Sequence, residues 1–455
     1  MLLDAFLTEY DDSLGSELNI DPLGLQVIWS GFGQQIFQNR ISSISNDIRN
    51  FTLNLFNHFL IKSLVEDDSV ALGSGLTKTY DGKHDLRFKH ACLVYLENLY
   101  VYSVVAREQT DGLESTGVLG ISKARRGWFD SNENPSLTFS HVPEAQVLVR
   151  QTLLGVSGRY KTPLVEMGFF DRHYRYNLPS ATVLWQNADT LISSTPTLSR
   201  LYNLLRPHLE GLLASRGQPK MSFQDLPTTL TQALVEAFPS SAEVGARTRG
   251  FWLSTTGLNQ GASGALYNVL SSPEHEGAAA AVVFEKAMKQ PQPEAARRKL
   301  AHVRLLEPLL SELDLLFHLM LAEKSQPVDT VRQRWKALGR NASTLAACAS
   351  AINADASMAT VLPSTGQARL TSLLNVAGQG NADAQMDALL SYHALLMESR
   401  GQSPWVTRAD GTQLKNHVRP RREPTLADRP PGSWVNQYYI PQFRHLLAGL
   451  HGVAA

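Results

Sequence analysis

The stretch PEAARRKLAHVRLLEPLLSELDLLFHLMLAE (Pro293–Glu323) decides the fold class. Leu305, Leu306, Leu309, Leu310, Leu313, Leu316 and Phe317 recur at the three- and four-residue spacing that puts apolar side chains on one helical face. Pro293 suits a first turn, where a missing N–H costs nothing, and Glu294 complements the helix dipole. Pro308 is expected to kink this helix or divide it in two, because proline removes one hydrogen bond of the ladder.

The same periodicity extends outward. The chain is Leu- and Ala-rich from about Ser180 to Arg400, and helices are expected at 180–215, 223–238, 276–289, 327–352 and 382–399. No regular repeat of the solenoid kind connects them. Toward the N-terminus, Pro22 opens the apolar stretch LGLQVIWSGFGQQIF. Asn46 or Asp47 can cap a helix that aligns Ile48, Phe51, Leu55, Phe59 and Leu60. A polar connector, Gly73 to Asp85, precedes a long helix from about Leu86 to Glu108, apolar on most of its surface and therefore expected to be buried. The tail beyond Arg400 carries Pro420, Pro424, Pro430 and Pro431, then YYIPQFRHLLAGLHG. It reads as an extended segment with a terminal helix starting near Pro441.

Composition sets the outer bounds. The chain has 455 residues, 43% hydrophobic, which is too long for one ordinary domain and rich enough for a sizeable core. Lys and Arg number 42 and Asp and Glu 42, so no global charge draws the protein to nucleic acid or membrane. Cys92 and Cys348 lie far apart, outside any CxxC or Cys/His cluster, which argues against a disulfide framework and for a reducing cytosol. The opening MLLDAFLTEYDD lacks the basic start of a secretory signal, and no apolar run reaches the roughly 20 residues of a membrane span. A cytoplasmic protein without a membrane partner is expected.

Two regions stand out chemically. Residues 119–130 (LGISKARRGWFD) and 154–171 (LGVSGRYKTPLVEMGFFD) share a Leu-Gly-Ile/Val-Ser start and a Gly-aromatic-Phe-Asp end, consistent with a decayed duplication or with coincidence between short words. From Gly120 to Tyr176 eight basic residues face five acidic ones, interleaved with Trp128, Phe129, Tyr160, Tyr174 and Tyr176. Within this region VLVRQTLLGVSGRYKTPLVEMG resembles a helix-turn-helix over 22 residues. The resemblance implies a first helix holding Leu148 and Leu154, a turn at Gly155, Val156 packed beneath, Ser157 as cap, and Leu164 in the core. Arg159, Tyr160 and Lys161 would then face DNA, with Lys123, Arg125 and Arg126 adding phosphate contacts. Gln151, Lys161 and Pro163 depart from the motif, and the competing reading has a separate helix beginning at Pro163 with RYK in a loop. The second region is the tail. From Trp405 onward seven basic residues face three acidic ones, and Arg419, Arg421 and Arg422 sit among prolines that hold the backbone extended, a form suited to phosphates or an acidic partner. Trp434, Tyr438, Tyr439 and Phe443 are expected to dock the tail onto the helical body, with partner anchoring as the alternative.

Signatures of catalysis are missing. GSGLTKT (Gly73–Thr79) has the wrong spacing for a phosphate loop, and neither HExxH nor GxSxG occurs. Cys92 lies on an apolar helix and reads as core. No cofactor is implied. Glu66, Asp67, Asp68, Asp81, Lys83 and Asp85 are the one loose acid–lysine set that a metal-dependent nuclease would need. The sequence therefore reads as a mainly α, multi-domain helical protein with a small basic module of helix-turn-helix or winged-helix character. Its expected segments are an N-terminal helical module (1–110), the basic module (111–178), a helical scaffold (179–400) and a basic-aromatic tail (401–455). The expected function is a non-enzymatic DNA- or RNA-binding accessory subunit, working with other protein subunits in a larger bacterial-type assembly for gene regulation, mobile elements or antiviral defence. A protein–protein scaffold without nucleic-acid contact is the alternative, and a metal-dependent nuclease the third reading.

Overall fold

The computed structural model describes residues 21–110, 112–217, 219–241, 245–409 and 411–452. The opening MLLDAFLTEYDD and Asp410 of the tail lie outside the described residues. The chain is mainly α-helical. Helix α1 (Leu25–Phe37) is followed by α2 (Ile48–Glu66), α3 (Leu86–Val105) and α4 (Ile121–Asp130), then by the short segments α5 (Gln151–Leu154), α6 (Val156–Arg159) and α7 (Lys161–Met167). Next come α8 (Thr182–Ser194), α9 (Pro196–Leu213), α10 (Thr228–Ala237), α11 (Ala246–Thr256), α12 (Gly261–Leu270) and α13 (Ala280–Met288). The helices end with α14 (Glu294–Met320), α15 (Val328–Ala337), α16 (Ala342–Asn353), α17 (Ser364–Ala377), α18 (Ala382–Glu398) and α19 (Ile440–His451). Among the described residues no helix is long and apolar enough to cross a membrane.

Two compact units divide the chain, each built from separated stretches: residues 1–38 with 259–440, and residues 39–258 with 441–455. The four linear segments read from the sequence do not coincide with them. Residues 39–178 fall within one unit, the 179–400 stretch is divided at 258/259, and the tail is divided at 440/441. Contacts that close a unit are made between residues hundreds of positions apart, which a linear scan for linkers does not register.

The first unit (1–38 with 259–440) is organised by α14, the helix of the opening quotation. It runs through Pro308 as one element. Pro308 is half-buried and Arg304, whose carbonyl loses its partner, is exposed, so water can take the freed acceptor. Glu307, fully buried on this helix, accepts hydrogen bonds from Trp29 Nε1 (2.7 Å), Ser311 Oγ (2.6 Å), Tyr438 Oη (2.8 Å) and the backbone N–H groups of Val435 (2.6 Å) and Asn436 (2.9 Å). One carboxylate thus ties α1 and the tail to α14. Trp434 and Tyr438 pack on Phe284, so these tail aromatics dock on the body. A small antiparallel sheet completes the unit, ordered β3 (Ser325–Pro327), β5 (Gln413–Asn416), β4 (Val406–Ala409), with Ser325 opposite Lys415 and Lys415 opposite Thr407.

The second unit (39–258 with 441–455) surrounds α2 and α3. Asp47 caps α2 by accepting from the backbone N–H of Arg49 (2.8 Å) and Asn50 (3.3 Å). The α3 helix is buried on nearly its whole surface, as its composition predicts. Trp252 donates from Nε1 to Thr52 Oγ1 (3.0 Å) and packs with Phe51. A two-stranded pairing joins β1 (Ser136–Thr138) to β2 (Lys220–Ser222), antiparallel. The connector at 73–85 is pinned by Gly73, whose N–H donates to Leu213 O (2.8 Å); any Cβ there would collide with the Ser215 carbonyl.

Candidate nucleic-acid interface

The helix-turn-helix expectation is corrected first. Residues 151–167 form helical segments of 4, 4 and 7 residues, not the two regular helices the motif requires. Leu148 lies outside any helix and Gly155 separates α5 from α6. Pro163 falls in the first turn of α7, close to the competing reading of a separate helix. The nearest strands, β1 and β2, pair across more than eighty residues and make no local hairpin wing.

Burial decides the fate of the residues expected to face DNA. Ser157 is buried and donates its backbone N–H to Glu97 Oε1 (2.6 Å). Tyr160 is buried: its hydroxyl accepts from the Asp47 N–H (3.0 Å), and its ring meets Phe51 edge-on at 4.7 Å. Burial pushes the Tyr160 phenol well above its ordinary range. Lys161 is buried with its ammonium 4.6 Å from the centre of the Tyr174 ring. Arg159 is half-buried, its Nε donating to Leu154 O (2.9 Å). The physical reason is packing. Gly155 lies against the Glu97 side chain and Gly158 against the Leu153 backbone, so the segment folds tightly, and the Tyr160 ring, packed on Phe51 of α2, gains more by burial than by exposure. The 119–130 and 154–171 echo also diverges in conformation. Gly120 caps α4 at φ 86° and Gly155 caps α6 at φ −75°, while Gly127 lies inside α4 and Gly168 ends α7 at φ 90°.

The first basic cluster is partly exposed. Lys123 and Arg126 are exposed on α4, three residues apart and hence on neighbouring positions of one face, with Phe129 71% exposed one turn further. Arg125 turns the other way, donating from Nε to Glu108 Oε1 (2.9 Å).

The tail presents more. Burial alternates along β5: Leu414 and Asn416 point inward, and Lys415 points outward beside Ser325 and Thr407. His417 continues on the outward side and shares a hydrogen bond with Thr407 Oγ1 (2.8 Å). Arg419 is exposed beyond it, and Lys324 is exposed at the entry to β3. Lys324, Lys415 and Arg419 have no ion-pair partner among the described residues. Arg421 is half-buried with its guanidinium 5.6 Å from the Trp405 ring centre, and its N–H donates to Leu321 O (3.0 Å). Arg422 is exposed and pairs with Asp428 (3.1 Å). Sequence reasoning singled out Arg419, Arg421 and Arg422, took Lys415 only as part of the tail's basic excess, and passed over Lys324. The signal for Lys415 was the two-residue alternation of QLKN, which marks a half-buried strand.

The connector acids do not converge. Asp85 caps α3 through the Arg87 N–H (2.8 Å) and pairs with the Arg87 side chain, which holds its carboxyl down at about 2. Asp67 pairs with Arg206, and Lys83 donates to the carbonyls of Leu64 (3.0 Å) and Asp67 (2.5 Å). Among the described residues no three His, Cys, Asp or Glu side chains are grouped to hold a metal ion. Comparison with known protein families, curated proteins and solved structures finds no match to this chain.

Proposed function

We propose that this chain is a non-enzymatic nucleic-acid-binding accessory subunit of a larger bacterial-type assembly, of the gene-regulatory, mobile-element or antiviral class. Its contact surface is the outward face of the small sheet and the arginine segment that follows it. The observation that supports this reading is the set of Lys324, Lys415 and Arg419, exposed and without carboxylate partners among the described residues. Cations held off acidic neighbours keep their charge available for phosphates, and each phosphate they neutralise releases counterions. Lys123 and Arg126 on α4 form a second basic face in the other unit. No other subunit is specified by these contacts; the accessory role rests on the lack of catalytic signatures.

The test is fluorescence anisotropy of the full chain with labelled duplex DNA, single-stranded DNA and RNA at low and near-physiological salt. The triple variant Lys324→Glu/Lys415→Glu/Arg419→Glu is expected to weaken binding to every sequence alike and to flatten the log–log salt slope by about 1 per lost contact. Salt-independent binding, or no binding to any probe, would remove the proposal.

A further inference from the structure

Helix α4 (Ile121–Asp130) meets the rest of its unit along one side. Ala124 is buried, Gly127 lies against the Tyr102 hydroxyl of α3, and the Trp128 ring packs edge-on against Phe223 at 5.1 Å. The other side carries Lys123, Arg126 and Phe129, all exposed and three residues apart, so they run as one stripe along the helix. We propose that this stripe binds single-stranded nucleic acid, with Lys123 and Arg126 on phosphates and the Phe129 ring stacked on an unpaired base. This assignment rests on the nucleic-acid reading above and adds which form of nucleic acid the second basic face takes.

Three observations support it. Phe129 is 71% exposed and is the one exposed Phe, Tyr or Trp among the described residues. Every other described ring of these types is buried or half-buried, and it is the neighbouring Trp128 that packs on the body, so the fold makes no use of Phe129. The end of the helix is also fixed. Ser131 Oγ donates to Gly127 O (2.7 Å), the Glu133 N–H donates to Trp128 O (2.8 Å), and Asn132 and Glu133 turn the chain at φ of 51° and 63°. A ring on a fixed support loses little freedom when a base stacks on it. Finally, charge is sorted along the stripe. Lys123 and Arg126 take part in no ion pair among the described residues, whereas Arg125 takes Glu108. Asp130 and Glu133, both exposed, lie at the ring end. Phosphates are therefore drawn to the head of α4, where the helix dipole is also positive, and an uncharged base is left to the ring. Arg126 and Phe129 differ by about 4.5 Å along the axis, within reach of one nucleotide. A duplex keeps its bases stacked inside and offers phosphates, whereas an unpaired base presents its π-face to a ring. An acidic protein surface would meet the two cations and leave the ring in water.

Fluorescence anisotropy of the full chain is run with labelled oligothymidylate, an abasic oligomer of the same length and a blunt duplex, at low and near-physiological salt. Oligothymidylate is expected to bind most tightly. Phe129→Ala should weaken it at least about fivefold, to the level of the abasic oligomer. The salt slope and the chemical-denaturation curve of that variant should stay unchanged, because the ring neutralises no phosphate and supports no packing. Phe129→Trp should retain the preference. Lys123→Glu/Arg126→Glu should weaken all three probes and flatten the slope. Equal binding of the three probes, or a single-strand preference that survives Phe129→Ala, overturns the assignment and leaves the sheet-face reading standing; binding of none removes both. Poly-glutamate that displaces the probe as well as unlabelled oligothymidylate at equal charge overturns it in favour of an acidic protein partner.

Discussion

Two arginine- and lysine-bearing segments of this chain look alike on paper and end in opposite environments. SGRYK (Ser157–Lys161) is folded into the second unit, with Tyr160 and Lys161 buried, whereas RPRRE (Arg419–Glu423) runs over the first unit with Arg419 and Arg422 exposed. The difference lies in the neighbours. Gly155 allows close approach to the Glu97 side chain of α3 and Gly158 to the Leu153 backbone, and the aromatic side chains Tyr160 and Tyr174 bring apolar area worth burying. Pro420 and Pro424 instead keep the tail extended, and an extended segment crossing a surface shows one side to solvent. Local charge therefore does not decide whether a segment is exposed; what its neighbouring residues can bury does.

Substitutions can break or sharpen this contrast. Tyr160→Ala should destabilise the protein by about 3–5 kcal/mol, the usual cost of deleting a buried aromatic ring, in chemical denaturation. A cost under about 0.5 kcal/mol would mean that the segment is a surface loop after all. Glu307→Ala should cost at least about 3 kcal/mol, because it strands the buried side-chain donors of Trp29 and Tyr438 and frees the part-buried N–H groups of Val435 and Asn436 at once. Limited proteolysis of that variant should cut first between Arg429, which stays paired with Asp314, and Tyr438, because Glu307 fastens the tail from Val435 onward.

The pH response of the second unit gives a smaller effect. His58 is fully buried beside Phe170, Tyr174 and Tyr176, with Nδ1 hydrogen-bonded to Tyr176 Oη (2.9 Å). Burial first, then the positive fields of Lys161, His90 and Lys89, holds its pKa well below the ordinary 6.5. The unfolded chain binds this proton more readily, so stability is full above about pH 6.5 and declines as pH falls through it, by up to about 1.4 kcal/mol per pH unit. His58→Phe should flatten that slope in denaturation curves taken between pH 7.5 and 5.5. Smallest on stability, Arg419→Glu and Lys415→Glu should each change unfolding by no more than about 0.5 kcal/mol while weakening salt-sensitive nucleic-acid binding. A large stability loss there would show that these cations are structural and would erase the contrast.

Much of the secondary structure was legible. The expected helices at 86–108, 223–238 and 382–399 appear as α3, α10 and α18 with shorter ends, Asp47 rather than Asn46 is the cap of the two expected, and the terminal helix begins beside Pro441. The 327–352 expectation divides into α15 and α16 at Gly339, whose φ of 79° ends the first helix. The site was less legible. Arg419 and Arg422 are exposed, but Arg422 pairs with Asp428, Arg421 stacks on Trp405, Arg125 is taken by Glu108, and Lys324 joins Lys415 through a strand pairing that spans ninety residues.

Periodicity, caps and prolines are local properties, and the sequence by itself determined those: a mainly helical chain, the positions of its longest helices and an extended tail. Which residues close a unit, which cations find carboxylates and which side chains keep an unmet hydrogen bond depend on contacts between distant positions. Glu307 meeting Tyr438, Glu97 meeting Ser157 and Lys415 lying opposite Ser325 are such contacts. Burial and pairing are free energies of a neighbourhood, and the neighbourhood exists only once the chain has folded.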